Sequence, residues 1–262
     1  MSKKKEETKS NAPLLIIGAV LLVAVLSGWY WYSSGKSAPR ANTNSNSSTN
    51  KATVVKADSI PANAPAGANP PNQAGSPSAA VTLEEFADFQ CGSCAAAHPI
   101  MNEIKSLYGS RIRFVFRNFP LSIPAHDKSY EAAVAAEAAG MQGKFWDLQN
   151  LLFNNQQIWT ASPTYKQIWK DYATKIGLDV PKWENDMAGI AAKSRVDADL
   201  ARGKAIGVNS TPSLYLNGVS VPYTEIKVTN LKEMIDAEIQ KSGPTTSTAP
   251  AANAEKPADA SK

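Results

Sequence analysis

The stretch Glu85-Phe86-Ala87-Asp88-Phe89-Gln90-Cys91-Gly92-Ser93-Cys94 decides the fold, because an apolar strand-like run ends there in a Cys-x-x-Cys pair and an alanine-rich helical start follows. Val81, Leu83, Phe86 and Phe89 give the run from Val81 to Phe89 the character of a buried strand, with Glu85 as its odd member. Cys91 and Cys94 are the only two cysteines in the chain. In this context the pair reads as a redox dithiol. A sulfur at the first turn of the helix faces unpaired backbone N–H groups and the positive end of the helix dipole, which favour a thiolate at Cys91. Cys94, one turn deeper, is then the protected thiol that closes a short disulfide. One sulfur attacks and the other resolves.

Two plainer readings compete. A disulfide enclosing two residues constrains little of the unfolded chain, so it makes a poor staple. Half of a zinc site needs further N or S ligands, and the only histidines are His98, beside Pro99 in the same helix, and His126. Neither histidine has a clear role, and both are left outside the site.

Downstream, Arg111 to Phe116 alternates Ile112, Phe114 and Phe116 with Arg111, Arg113 and Val115, a second strand separated from the first by one helix. That is a βαβ unit, and it puts the dithiol at the carboxyl end of a central strand. From about 125 to 207 the pattern is helical: Tyr130 to Ala139, then Lys144 to Phe153, then a helix capped by Ser162 and Pro163 and closed by Gly177. The aromatic residues of these helices read as core. Asn217-Gly218 between Ser213–Leu216 and Val219–Val221 signals a hairpin. Asn230 with Glu233 is read as the cap of a last helix carrying Leu231, Met234, Ile235 and Ile239.

Outside residues 81–241 the composition changes. Pro13 to Tyr32 is almost wholly apolar, ends in Trp29-Tyr30-Trp31-Tyr32 and follows Lys3, Lys4, Lys5 and Lys9. This reads as a transmembrane anchor with its basic N-terminus, residues 1–12, in the cytoplasm. The competing reading is a cleaved signal peptide, against which the four large aromatics at the exit argue. Residues 33–80, rich in Ser, Asn, Ala and Pro, read as a disordered linker, and 242–262 as a disordered tail. Residues 81–242 carry seventeen Lys/Arg and eighteen Asp/Glu, so the basic excess lies in the N-terminal region and nothing suggests a nucleic-acid partner. The expected location is the cell membrane, single-pass, with the folded domain periplasmic or extracellular.

Glu85-Phe86-Ala87-Asp88-Phe89-Gln90-Cys91-Gly92-Ser93-Cys94, Pro99, Asn118-Phe119-Pro120-Leu121, Gln142-Gly143-Lys144-Phe145-Trp146 and Thr211-Pro212 together resemble the DsbA-like thiol:disulfide oxidoreductases, in their membrane-tethered, exported branch. The resemblance covers roughly residues 81 to 241. It implies an α/β thioredoxin fold with an inserted α-helical subdomain. It also implies that Thr211-Pro212 is a cis-proline loop facing the dithiol, where a substrate peptide pairs with the Thr211 backbone, and that Glu85 is a proton relay beneath the dithiol. Read from the residues alone, Thr211-Pro212 is a trans proline that starts a strand and Glu85 a strand carboxylate paired with a neighbouring base. Gly92-Ser93 supplies no cation to the pair, so an intermediate potential is expected. The expected activity is disulfide donation to exported cysteine-containing proteins, with reoxidation by a membrane partner and no cofactor or metal beyond the redox-active disulfide. Reductase or isomerase action on the same fold, an exported copper carrier using both sulfurs, and a redox-inactive binding module are the alternatives.

Overall fold

Alternating side chains place one set of strand residues on each face of a sheet, and the sequence pattern around the dithiol resolves into such a sheet in the computed structural model, which describes residues 59–243. Five strands, β1 (Asn72–Gly75), β2 (Thr82–Ala87), β3 (Arg113–Asn118), β4 (Ser213–Leu216) and β5 (Val219–Val221), lie in the order β1-β3-β2-β4-β5. β2 and β3 are parallel and joined by helix α1 (Gly92–Tyr108), the expected βαβ unit; β1, β4 and β5 add antiparallel. The Asn217-Gly218 hairpin forms as read, with both residues at positive φ.

Between β3 and β4 run six helices: α2 (Ser129–Gly140), α3 (Phe145–Asn154), α4 (Gln156–Ala161), α5 (Tyr165–Lys175), α6 (Val180–Ala188) and α7 (Ile190–Ala205). This is the inserted helical subdomain. Helix α8 (Val228–Lys241) follows β5 and a 3₁₀ turn. Leu83, Phe114, Phe116, Leu214 and Leu216 point to one face and pack with Met101, Ile104, Phe145, Phe153, Leu231 and Ile235. Phe86 and Tyr215 point to the other, where they meet Phe119 and Val208.

The boundaries shift for local reasons. β2 stops at Ala87 rather than Phe89 because the Asp88 carboxylate takes the N–H of Gln90 at 2.7 Å and turns the chain. β3 starts two residues later than read, after a 3₁₀ turn at Gly109–Arg111. Ser162 and Pro163 do not cap α5: the Ser162 hydroxyl accepts from the Thr164 N–H in a preceding turn, and the helix opens at Tyr165. Asn230 lies inside α8, which opens at Val228, and its side chain donates instead to Glu225 at 2.6 Å.

The larger correction concerns the linker. The anchor at 13–32, the linker up to residue 58 and the tail beyond 243 lie outside the described residues. Among the described residues no helix is long and apolar enough to cross a membrane. Residues 59–80, however, belong to the folded unit. The strap opens with Ser59 bridged to Val219 and the Ile60 N–H bonded to Gly218 O, and it ends as β1 beside β3, on the opposite edge of the sheet. Its backbone is held by buried charge, and Ile60 and Ala74 pack against the two cores. Arg117 donates to the carbonyls of Ala66 and Ala68, Arg202 donates to that of Pro65, and the Ala68 N–H donates to Asp199 at 2.8 Å. Gly67 sits at φ +76 where a Cβ would lie 2.7 Å from the Arg117 guanidinium, so the strap needs glycine there.

Candidate active site

Cys91 is the N-cap of α1, with extended backbone (φ −72, ψ 120) and no side chain capping the helix. Its sulfur therefore occupies the place where a capping oxygen would accept the first-turn N–H groups. The Cys91 thiol is pulled down from its usual range to about 4: the Cys94 thiol donates to it, burial opposes, and the Ser93 hydroxyl, Thr211 and the Cys94 N–H add to the stabilisation. Cys94 is fully buried, and burial together with the adjacent Cys91 sulfur pushes it well above the ordinary cysteine value. The two sulfurs, both free, are thus split into one anion and one protected thiol.

The Thr211–Pro212 peptide bond is cis, and the loop lies against the dithiol: Cys91 Sγ is 3.3 Å from Thr211 O and 3.4 Å from Ser93 Oγ. The Thr211 hydroxyl is buried and has no hydrogen-bond partner within normal distance in this arrangement. Gly92 has open space around it, and Ser93 is half-buried. Beside this loop is a groove of about 510 Å³ lined by Pro212, Ser213, Tyr215, Val221, Pro222 and Tyr223, among others.

Glu85 shares the α1 side of β2 with Leu83 and is 2 % exposed. Burial raises its carboxyl to about 7 against the opposing pull of Lys105. It makes no salt bridge among the described residues. Lys105, on α1, is itself shifted down by burial, and its ammonium sits over the Trp146 ring at 4.4 Å and the Phe114 ring at 5.3 Å. Glu85 is thus a buried carboxylic acid poised near neutrality, not the paired strand carboxylate of the simpler reading.

The histidines are engaged elsewhere. His98 is buried, lies 4.9 Å from the Phe153 ring and bonds Asn102 through Nε2; burial lowers it to about 4. His126 Nδ1 meets Asp88 Oδ2 at 2.6 Å. Among the described residues no group of three or more His, Cys, Asp and Glu side chains is placed to hold a metal ion.

Sequence reasoning missed the residues that hold the bend before the dithiol. Asp88 accepts from the N–H groups of Gln90 and Leu121, from Ser129 and from His126. Gln90 Oε1 accepts from the Lys128 N–H and from Ser129. Gln156, the first residue of α4, donates through Nε2 to Phe89 O at 2.7 Å and to Cys91 O at 2.9 Å. Asp88 carries a readable signal, a short acceptor at the end of a strand. Gln156 carries none, since its partners are backbone atoms 67 and 65 positions away.

A family model described as Thioredoxin matches residues 69–237. Among solved structures, oxidised BdbD from Bacillus subtilis aligns with a TM-score of 0.58 at 22 % identity, over 68 % of this chain and 98 % of that one. The thiol-disulfide exchange protein α-DsbA2 from Wolbachia pipientis aligns with a TM-score of 0.54 at 18 % identity, over 64 % and 87 %. At those identities the likeness shows a shared fold. In sequence, the chain is 34 % identical over 146 residues to a Na⁺/H⁺ antiporter NhaA 1 of Mycolicibacterium gilvum, covering 55 % of this chain and 23 % of the relative. The chain therefore spans about a quarter of the length of the curated relatives it matches.

Proposed function

The chain belongs to the thioredoxin family, and from that premise we propose that it is a thiol:disulfide oxidoreductase that donates the Cys91–Cys94 disulfide to exported, cysteine-containing proteins. The observation that carries this reading is the placement of the pair, with Cys91 at the N-cap of α1 against the cis Thr211–Pro212 loop and Cys94 fully buried one turn deeper, an arrangement that lowers the first thiol and raises the second. In the oxidised enzyme a substrate thiolate attacks Cys91 Sγ, the intramolecular disulfide breaks, and Cys94 leaves with the electron pair. Cys94 leaves into a dry site and needs a proton at once; Glu85, about 7, supplies it as a relay. A second substrate thiolate then attacks the substrate sulfur of the mixed disulfide, and Cys91 departs as the stabilised thiolate. The substrate has lost two electrons and two protons. The dithiol has gained the two electrons and one of the protons, since Cys91 stays ionised, and the other proton goes to solvent.

Direction follows from the same split. Whatever stabilises the Cys91 thiolate stabilises the reduced enzyme, so it makes the disulfide more oxidising. Gly92-Ser93 contributes only the Ser93 hydroxyl, which supports a potential between those of reductants and the strongest oxidants. A membrane partner regenerates the disulfide, and residues 13–32 hold the domain at the outer face of a membrane. No transport activity is carried over from the antiporter relative, most of whose length has no counterpart here.

The test is refolding of a reduced protein that needs a disulfide, with the oxidised chain as stoichiometric oxidant. Substrate disulfides are expected to form with the wild-type chain and with neither Cys91→Ser nor Cys94→Ala, which have no internal disulfide to give, while the Cys91 thiolate of Cys94→Ala traps a mixed disulfide when it is offered a substrate that already carries a disulfide. Efficient reduction of substrate disulfides with no net oxidation makes the protein a reductase instead.

A further inference from the structure

Cys91 holds an extended N-cap conformation that no side-chain cap stabilises, so the bend from Phe89 to Cys91 must be held from outside α1. Part of the hold is local. The Cys91 N–H bonds to Asp88 O at 3.1 Å, and the Asp88 carboxylate takes the Gln90 N–H. The rest comes from the helical subdomain. Gln156 brings both hydrogens of one planar amide to two carbonyls that flank the turn, Phe89 O and Cys91 O, at a buried site. Two acceptors facing the same group fix the amide's orientation, because only the NH₂ end can serve them. Phe89 lies outside both β2 and α1, so its carbonyl has no place in either ladder, and Gln156 satisfies it. Gln156 is in turn held in α4, whose Thr160 hydroxyl donates to Gln156 O at 2.7 Å.

We propose that Gln156 is a positioning residue for the nucleophile: by clamping the two carbonyls that bracket the turn, it keeps Cys91 Sγ aligned with the first-turn N–H, the Ser93 hydroxyl and the Cys94 thiol, and so couples the helical subdomain to the reactivity of the dithiol. It does not touch the sulfur. Its effect passes through the backbone, since Ser93 and Cys94, two of the residues that hold the thiolate, lie within three residues of the clamped Cys91 carbonyl and lose their aim if the turn relaxes. The chemistry also fixes the sign for the acidic variant. Gln156→Glu replaces two donors by acceptors facing two carbonyl oxygens and adds a negative charge near the thiolate, which disfavours that anion.

This inference rests on the reading of Cys91 as the activated nucleophile, and titration of Cys91 in the reduced protein tests both separately. The probe is the pH dependence of alkylation by iodoacetamide, measured for wild type, Gln156→Leu, Gln156→Glu and Trp159→Phe. The last variant loses the bond from the indole to Leu152 O within the same subdomain and leaves the turn untouched. Upward shifts of about one unit or more are expected for both Gln156 variants, larger for Glu, with no shift for Trp159→Phe. Should Gln156→Leu not fold, the Glu variant carries the test, and Gln156→Asn, too short to reach both carbonyls, gives a second value. A depressed wild-type value that is unchanged in the Gln156 variants, or moved equally by Trp159→Phe, overturns the clamp alone. An ordinary wild-type value overturns the reading of Cys91 beneath it.

Discussion

Glu84 and Glu85 are neighbours on β2, both buried, and they point to opposite faces of one sheet with opposite results. Glu84, 6 % exposed, enters a lattice of charge: burial pushes its carboxyl up, but hydrogen bonds from Arg202 and Arg117 outweigh this and hold it below the usual range. Arg117 reaches from Glu84 at 2.7 Å to Asp199 at 2.9 Å, and Arg202 closes on Glu84 at 2.8 Å. Glu85 has only the offset pull of Lys105 and is raised to about 7. One face spends its ionised groups on structure, fastening the strap of residues 59–75. The other keeps one buried carboxyl with no ionised partner to hold it charged. A single-residue step along a strand separates the two because the side-chain period is two.

The comparison breaks most sharply at Arg117. Arg117→Met leaves Glu84 and Asp199 short of a buried partner and frees the carbonyls of Ala66 and Ala68, so a loss of about 3–5 kcal/mol is expected by denaturant unfolding. The alkylation profile of Cys91 in the folded fraction is expected to stay put. A shift there would show that the two faces are not independent.

Glu85→Gln acts on the other face and in the other direction. The folded value of about 7 stands above the ordinary carboxyl value of 4.5, so the ionised form costs folding energy. On account of this group, stability is highest below about 4.5, declines as pH rises to about 7 and is flat above. Removing it is expected to stabilise the reduced protein at pH 8 by on the order of 2–3 kcal/mol and to flatten that decline. The same variant is expected to slow disulfide exchange through Cys94 by roughly 10²-fold, with Cys91 alkylation unchanged. Stability without a kinetic loss would leave Glu85 as a buried acid with no part in proton transfer.

Gly67→Ala sharpens the account of the strap at smaller cost. The new methyl meets the Arg117 guanidinium and the positive φ disfavours any side chain, so a loss of about 1–3 kcal/mol is expected, with protease cleavage appearing first within residues 59–75. An unchanged midpoint would mean that the strap adds little to the fold.

What could be read from the sequence follows the same division. The βαβ unit, the dithiol at its carboxyl end, the Asn217-Gly218 hairpin and the inserted helices are written in side-chain patterns of two to four residues. The cis state of Thr211–Pro212 was implied only by the family resemblance, since a lone Thr-Pro reads as trans. The strap reads as linker in sequence because Pro65, Ala66, Gly67 and Ala68 carry only small side chains with no period, and what holds them is their backbone, bonded to Arg117, Arg202 and Asp199. Gln156 escaped for the same reason. A side chain that serves distant carbonyls leaves no period, spacing or composition to find.

Everything proposed for the dithiol requires two sulfurs three residues apart to be held in different protonation states. Following thiolate absorbance of the reduced protein from pH 3 to pH 10 tests it most directly. The account predicts one thiol ionising near 4 and the other still protonated at 9. Two thiols titrating together near the value of free cysteine would contradict it.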